Sequence, residues 1–237
     1  MSEATSTDSL VPEAPWRAGL RAGRANIVPG LVLWVVGFAL VVAYYRVPVV
    51  HAALERLTGL RDRIGLLFPI LGTVLCGAVL PVLYLRRDPA ARGDFQLKNC
   101  IFLALFWAYK GAEIELWYRL LTYVVSPGHD VGTVAIKCLI DQGIYCPLWA
   151  VPVTVLGLSF NHAGLRFAPL IAEVRAGHWY RRHILPTLIA NAAIWIPAVC
   201  LVYSLPLSLQ TVLFDLVLCY YILLVAHITR RAHAAGV

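Results

Sequence analysis

The sequence predicts an all-α fold, a polytopic transmembrane helical bundle of about six helices. Sixty per cent of the 237 residues are hydrophobic and 14% are charged, more apolar side chain than a soluble domain of this length can cover. The apolar residues form runs of roughly 20, the length at which a helix crosses about 30 Å of hydrocarbon. The runs are longer and more continuous than the strands of a membrane barrel, so helices are favoured.

The elements follow one another as six apolar segments. They are, in order, about Ile27–Tyr45, Ile64–Leu85, Ile101–Val125, Val134–Leu158, Ile184–Tyr203 and Leu205–Ile228. Residues 1–26 are expected to form a polar and basic tail, residues 27–93 an N-terminal helix pair, and residues 94–237 a four-helix core. The tail carries acidic residues before any apolar run, unlike a secretory signal or a mitochondrial presequence, so the first segment is expected to act as a signal anchor.

Lysines and arginines set the expected orientation. They precede the first segment, follow the second and fourth, and recur at the C-terminus, whereas the connectors after the third and fifth segments contain none. The positive-inside rule therefore places both termini and the basic loops on the cytoplasmic side. The connector Arg46–Arg63 disagrees, because it holds four arginines yet falls outside, and we expect a short interfacial helix there. Topology explains the net charge of +7 better than a nucleic-acid partner does.

The third segment carries charged residues at positions that should lie within the bilayer. A charge near the middle of a bilayer helix costs roughly 2.5–3.5 kcal/mol on insertion scales, so these side chains must face protein or water. Lys110, Glu113 and Trp117 share one face of a helix, because neighbours on a helix are three or four residues apart. Glu115 and Arg119 can pair on another face by the same spacing.

The fourth segment adds Lys137 and Asp141, which are four residues apart and can pair, with Gln142 beside them. Asn191 lies in the fifth segment. Two interpretations stay open from the residues alone. The polar groups line a hydrated pathway or a site for an anion or proton, or they hold helices together and fix their register far from any permeant.

Prolines and the lack of enzyme motifs complete the pattern. Pro147, Pro186 and Pro197 lie inside apolar segments, where each removes a backbone hydrogen bond and favours a kink. The histidines and cysteines form no zinc spacing, and there is no Walker loop, GxSxG or dinucleotide fingerprint. We therefore expect no enzyme, metal site or cofactor. The hypothesis that Glu113 or Asp141 acts as an acid or base has no adjacent nucleophile or metal cluster to support it.

Several of these residues also occur in a recognisable order. They are Trp117-Tyr118, Lys137, Asp141-Gln142, Pro147, Pro186, Asn191, Trp195, Pro197-Ala198-Val199 and Pro206. In this order the chain from about Asp94 onward resembles the Mpv-seventeen and twenty-two-kilodalton peroxisomal membrane protein family, four-helix proteins of mitochondrial inner and peroxisomal membranes. The chain departs from the family pattern where Ile196 separates the tryptophan from its proline and where Cys200 replaces a glutamine.

The resemblance implies a weakly selective channel or metabolite pore, lined by polar groups of the third and fourth segments. Its partners would be the lipid bilayer and small ions or metabolites, with a homo-oligomer as a further possibility. The alternative is a non-conducting structural or partner-binding membrane protein. Arginine outnumbers lysine seventeen to three, a bias of GC-rich genomes. That bias favours a bacterial cytoplasmic membrane, with an organelle membrane as the alternative.

Overall fold

Helices make up nearly all of the chain that the computed structural model describes, which is residues 14–86 and 96–234. The helices are α1 Pro15–Arg46, α2 Pro48–Ile64, α3 Leu67–Leu85, α4 Leu97–Val124, α5 Val131–His162, α6 Phe167–Arg175, α7 Tyr180–Tyr203 and α8 Leu207–Ala234. The described residues contain no β-strand, so the all-α prediction is confirmed for this part of the chain.

Four of the helices are long and apolar enough to cross a membrane. They are the part of α1 from Asn26 to Arg46, and α3, α5 and α7. Helix α4 has the length, with 28 residues, but carries the charged residues of the third segment. The apolar part of α8 runs from Leu207 to Leu223. The chain thus has the composition of a membrane protein, and its third to sixth apolar segments correspond to α4, α5, α7 and α8.

Helix α1 runs parallel to α7 along a stripe of glycines. A Cβ atom on Gly30 would lie 3.3 Å from the Ile194 side chain, and one on Gly37 would lie 3.1 Å from that of Leu201. Residue numbers rise together on the two helices, so both start at the same end of the bundle. Small residues let two membrane helices approach closely without a side chain between them.

Helix α3 runs antiparallel to α4 and packs against it just as closely. A Cβ atom on Gly111 would lie 2.7 Å from the Pro69 carbonyl oxygen, and one on Gly77 would lie 2.4 Å from the Trp107 ring. The Asn99 side chain, near the start of α4, donates a 2.9 Å hydrogen bond to the carbonyl of Asn161, near the end of α5. We call the end of the bundle where α1, α4 and α7 start, and α3 and α5 end, the basic end.

The predicted N-terminal tail and the first predicted connector are more ordered than the sequence analysis expected. Helix α1 begins at Pro15, so residues 15–26 of the predicted tail are helical, while residues 1–13 lie outside the described part of the chain. The connector Arg46–Arg63 forms α2, as predicted, but α2 is more than a surface helix. It buries Thr58 and Arg61, because the arginine is drawn inward by a carboxylate of α4.

Some of the most deeply buried apolar side chains lie on α4, α7 and α8, where Leu121, Ile194, Val202 and Leu209 are at most 2% exposed. Helix α5 is different. Its last part, Val151–His162, contains no fully buried residue. This half of α5 therefore stands as an outer wall, and the space behind it is left open.

Candidate functional site

A cavity of about 1390 Å³ lies between α5 and the rest of the bundle, with walls from α3, α4, α7 and α8. Along α4 its lining extends from Lys98 at the basic end to Tyr118, and along α5 from His162 to Asp141. Twenty residues of helix correspond to about 30 Å, so the cavity follows about the thickness of a bilayer core. It is larger than the roughly 300–1,000 Å³ of ordinary ligand pockets.

The backbone of α5 changes where the cavity ends. Residues Asp141–Ala150 are π-helical and enclose Pro147, which has no N–H to give to the helix. A second π-helical stretch, Tyr180–Ile184, opens α7 just before Pro186, whereas Pro197 lies inside the α-helical part of α7. π-Helical turns widen a helix and often occur at functional sites. Here the wider turns of α5 present Asp141, Gln142 and Tyr145 to the cavity.

Asp141 lies at the inner end of the cavity, and both of its carboxylate oxygens accept hydrogen bonds. Its Oδ1 accepts from the indole N–H of Trp117 at 2.7 Å and from the hydroxyl of Tyr203 at 3.0 Å. Its Oδ2 accepts from the side-chain amide of Gln142 at 2.8 Å. Donors from α4, α5 and α7 thus converge on one carboxylate that is 4% exposed, which ties the three helices together at this level.

A second set of polar groups lies beside Asp141. Lys110 Nζ donates to Glu113 Oε1 at 2.7 Å, as the helical spacing predicts, and the hydroxyl of Tyr145 donates to the same oxygen. The Tyr145 ring stacks on Trp117 with centroids 4.2 Å apart and planes 13° apart. Through Tyr145 and Trp117, the predicted residues on α4 and those on α5 form one connected group.

The predicted ion pair between Lys137 and Asp141 is wrong. Lys137 is 1% exposed, but its ammonium has no hydrogen-bond partner among the described residues and lies 6.0 Å from the centre of the Tyr203 ring. Asp141 accepts hydrogen bonds from neutral donors instead. Lys137 also lies outside the cavity lining, one helical turn beyond its inner end.

Asn191 lines the middle of the cavity, away from the Asp141 group. Its Oδ1 accepts a 2.5 Å hydrogen bond from the hydroxyl of Tyr221 on α8. Trp195 lies one turn further along α7, with its ring 5.4 Å from that of Phe214. The middle of the cavity is therefore walled by aromatic rings with a polar group between them.

A separate ionic cluster lies outside the cavity. Glu115, which is completely buried, accepts hydrogen bonds from Arg61 of α2 and, at 2.8 Å, from Arg119 of α4. Its second oxygen has a long 3.4 Å contact with the hydroxyl of Thr211. The cluster joins three helices, and none of its members lines the cavity, which marks it as structural.

Sequence reasoning missed two tyrosines that complete the site. Tyr145 is four residues after Asp141, so the spacing that grouped the charged residues could also have found it. Tyr203 is distant in sequence from every residue that it contacts in the site, and no local pattern identifies it. Only the packing of the end of α7 against α5 brings its hydroxyl to Asp141.

Two further observations bear on the kind of protein. In residues 14–86 and 96–234, no three histidine, cysteine or acidic side chains come together in a way that could hold a metal ion. No protein-family model, curated protein or solved structure matches the chain.

Proposed function

We propose that this protein is a multi-pass integral membrane protein whose cavity is the pathway of a small, weakly selective channel or metabolite pore. The observation that carries the proposal is the cavity itself. It follows α4 and α5 for about the thickness of a bilayer core and ends at a group of polar side chains rather than at apolar ones. A structural bundle has no need of a long internal space with Lys110, Asp141 and Gln142 in its wall.

The pathway is closed at its inner end in this conformation. Tyr118 lines the cavity next to Asp141, and Tyr203 bonds to the far side of the same carboxylate. Opening would have to separate the donors of α4 and α7 from Asp141. The π-helical stretch of α5 begins at this residue, which gives the helix a place to bend.

The finer features of the proposal come from the sequence. We propose six spans, formed by α1, α3, α4, α5, α7 and α8, with the basic end on the cytoplasmic side of a bacterial membrane. An organelle membrane is the alternative. The resemblance to the Mpv-seventeen type of membrane protein supports the channel function, and the aspartate, glutamine and tryptophan that carry it line the cavity.

A non-conducting structural role is the second candidate, and the ionic cluster around Glu115 favours it. That cluster shows that charged residues of α4 hold helices together without facing a pathway. If Asp141 does the same, its hydrogen bonds serve only to join α4, α5 and α7.

Single-channel recording of the purified protein in a planar bilayer separates the two candidates. Asp141→Asn keeps the shape of the side chain but turns one acceptor into a donor, which faces the donors that now meet there. We expect discrete currents from the wild type and a changed conductance or open probability in the variant. Asp130→Asn is the matched control, because Asp130 is an exposed carboxylate outside the lining. Silence from well-folded protein would favour the structural role, and equal currents from Asp141→Asn would remove Asp141 from the pathway.

A further inference from the structure

The mouth of the cavity at the basic end is positively charged. Lys98 of α4 and Arg166, which follows α5, both line it and are both exposed. Neither forms an ion pair with an acidic residue in the described part of the chain. His162 lines the same mouth. A small anion approaching from this side meets an attractive potential, and a small cation meets a repulsive one.

A cation also lies deep in the cavity. Lys110 is 3% exposed and lines the wall twelve residues beyond Lys98, about 18 Å further along α4. An ammonium group has three N–H donors, and within the described part of the chain only one of them is engaged, by Glu113 at 2.7 Å. Glu113 itself lies behind the lysine, outside the lining. The interior therefore offers spare donors to an anion.

The only carboxylate among the described lining residues is Asp141, and it is poorly placed to attract a cation. Its two oxygens already accept hydrogen bonds from Trp117, Tyr203 and Gln142. A cation would have to displace these donors from a buried position. The charge that a solute meets is therefore positive at the mouth, and deeper in the cavity Lys110 offers N–H donors while Glu113 balances its charge.

The walls of the cavity contain aromatic rings among aliphatic side chains. Trp107, Trp195 and Phe214 face the cavity, and the stacked pair Trp117 and Tyr145 closes its inner part. Flat rings of this kind favour flat, apolar partners through stacking and edge-to-face contacts. Asn191 and the other amides in the lining supply hydrogen bonds without adding charge.

We infer that the cavity recognises small organic anions that carry a planar apolar body, with the anionic group held first at Lys98 and Arg166 and then at Lys110. The inference rests on the proposed function, since it names the class of solute that the pathway takes. It can nevertheless be measured as binding, without any current.

The test uses the full-length protein in nanodiscs and a pair of probes with the same shape and opposite charge, 4-nitrobenzoate and 4-nitrobenzylammonium. Both probes quench tryptophan fluorescence on contact, and Trp107, Trp117 and Trp195 line the cavity. We expect saturable quenching by the anion with an affinity about tenfold higher than that of the cation, a difference that shrinks as salt is added. Equal affinities, tighter binding of the cation, or no saturable quenching by either probe would overturn the inference.

Variants at exposed positions show which cations bind the anionic probe, and they leave the packing of the fold unchanged. Replacing both mouth cations, Lys98→Gln with Arg166→Gln, should weaken binding of the anionic probe by up to about 25-fold, because each exposed charge contributes up to about fivefold. The control is Arg175→Gln, an exposed arginine of α6 outside the lining, which should leave the affinity unchanged. An equal effect of the control and the double variant would contradict the assignment.

Flux measurements on the same samples separate this inference from the proposed function. Anion binding with no current would contradict the channel and leave the anion site in place. Currents whose reversal potential in a salt gradient shows cation selectivity would contradict the anion site and leave the channel in place.

Discussion

Arg61→Ala and Arg119→Ala should have very different effects on stability, although both arginines bind the same carboxylate. Arg61 has a side chain that is 10% exposed and lies against the fully buried Glu115, whereas the side chain of Arg119 is 52% exposed. Breaking a buried pair by removing one partner costs about 3–5 kcal/mol, and an exposed pair is worth about 0–1 kcal/mol. Because Glu115 keeps its pair with Arg119, we expect Arg61→Ala to lower the free energy of unfolding by about 3 kcal/mol, roughly a 100-fold change in the unfolding equilibrium.

The measurement is reversible unfolding in mixed micelles, followed by the loss of helical circular dichroism for the wild type, the two single variants and Arg61→Met with Glu115→Leu. The last variant removes the buried charges together, so it should cost less than Arg61→Ala alone. Costs for Arg61→Ala and Arg119→Ala that agree within about 1 kcal/mol would refute the argument from burial. A double apolar variant less stable than Arg61→Ala would refute it as well.

Three further predictions concern other parts of the fold. Gly77→Ala should lower the free energy of unfolding by about 1–3 kcal/mol, because its Cβ would lie 2.4 Å from an indole ring of α4. The Cβ of Gly59→Ala in α2 meets no atom within 4 Å, so this variant should raise the free energy of unfolding by up to about 1 kcal/mol. Thermal unfolding compares the two variants. Hydrogen bonds from the hydroxyl and backbone N–H of Thr133 hold the pKa of Asp130 below its usual value. The stabilising effect of this helix cap is therefore complete above about pH 4, and it is lost as the pH falls through the lowered pKa. The difference in stability between wild type and Asp130→Ala should therefore be smaller at pH 2 than at pH 7, and an equal difference at both would contradict the cap. Lys137→Met should match or exceed the wild type in melting temperature, because it removes a buried ammonium that has no hydrogen-bond partner among the described residues. A large loss of stability would mean that the ammonium is bound after all.

The sequence predicted those parts of the site that depend on spacing along one helix. Lys110 with Glu113 and Glu115 with Arg119 pair at the separations that place side chains on one helical face. The same rule failed for Lys137 and Asp141, although their separation is also four residues. The rule states which side chains can meet, and the competing donors on α4 and α7 decided which ones do.

The burial of individual side chains inside the bundle was harder to predict from the sequence than pairing along one helix. The connector between the first two apolar segments was expected to form a helix at the membrane surface, and the helix is present. Arg61 of this helix nevertheless points inward, because the buried Glu115 has no other buried cation among the described residues to pair with. Asp215 shows the same kind of dependence. Its partner is the hydroxyl of Thr73 on α3, 2.8 Å away, and nothing in the sequence near either residue points to the other.

The sequence by itself determined that the chain is helical, that several of its helices have the length and composition of membrane spans, and that Lys110, Glu115, Lys137 and Asp141 are buried. These properties follow from composition and from the three-to-four-residue period of a helix, which are local. Only the tertiary structure decided that the last part of α5, Val151–His162, buries no residue fully, that a cavity opens behind it, and that Tyr203 and Trp117 meet at Asp141. Such contacts join residues far apart in the chain, and they depend on which small residues let helices approach and which large rings hold them apart.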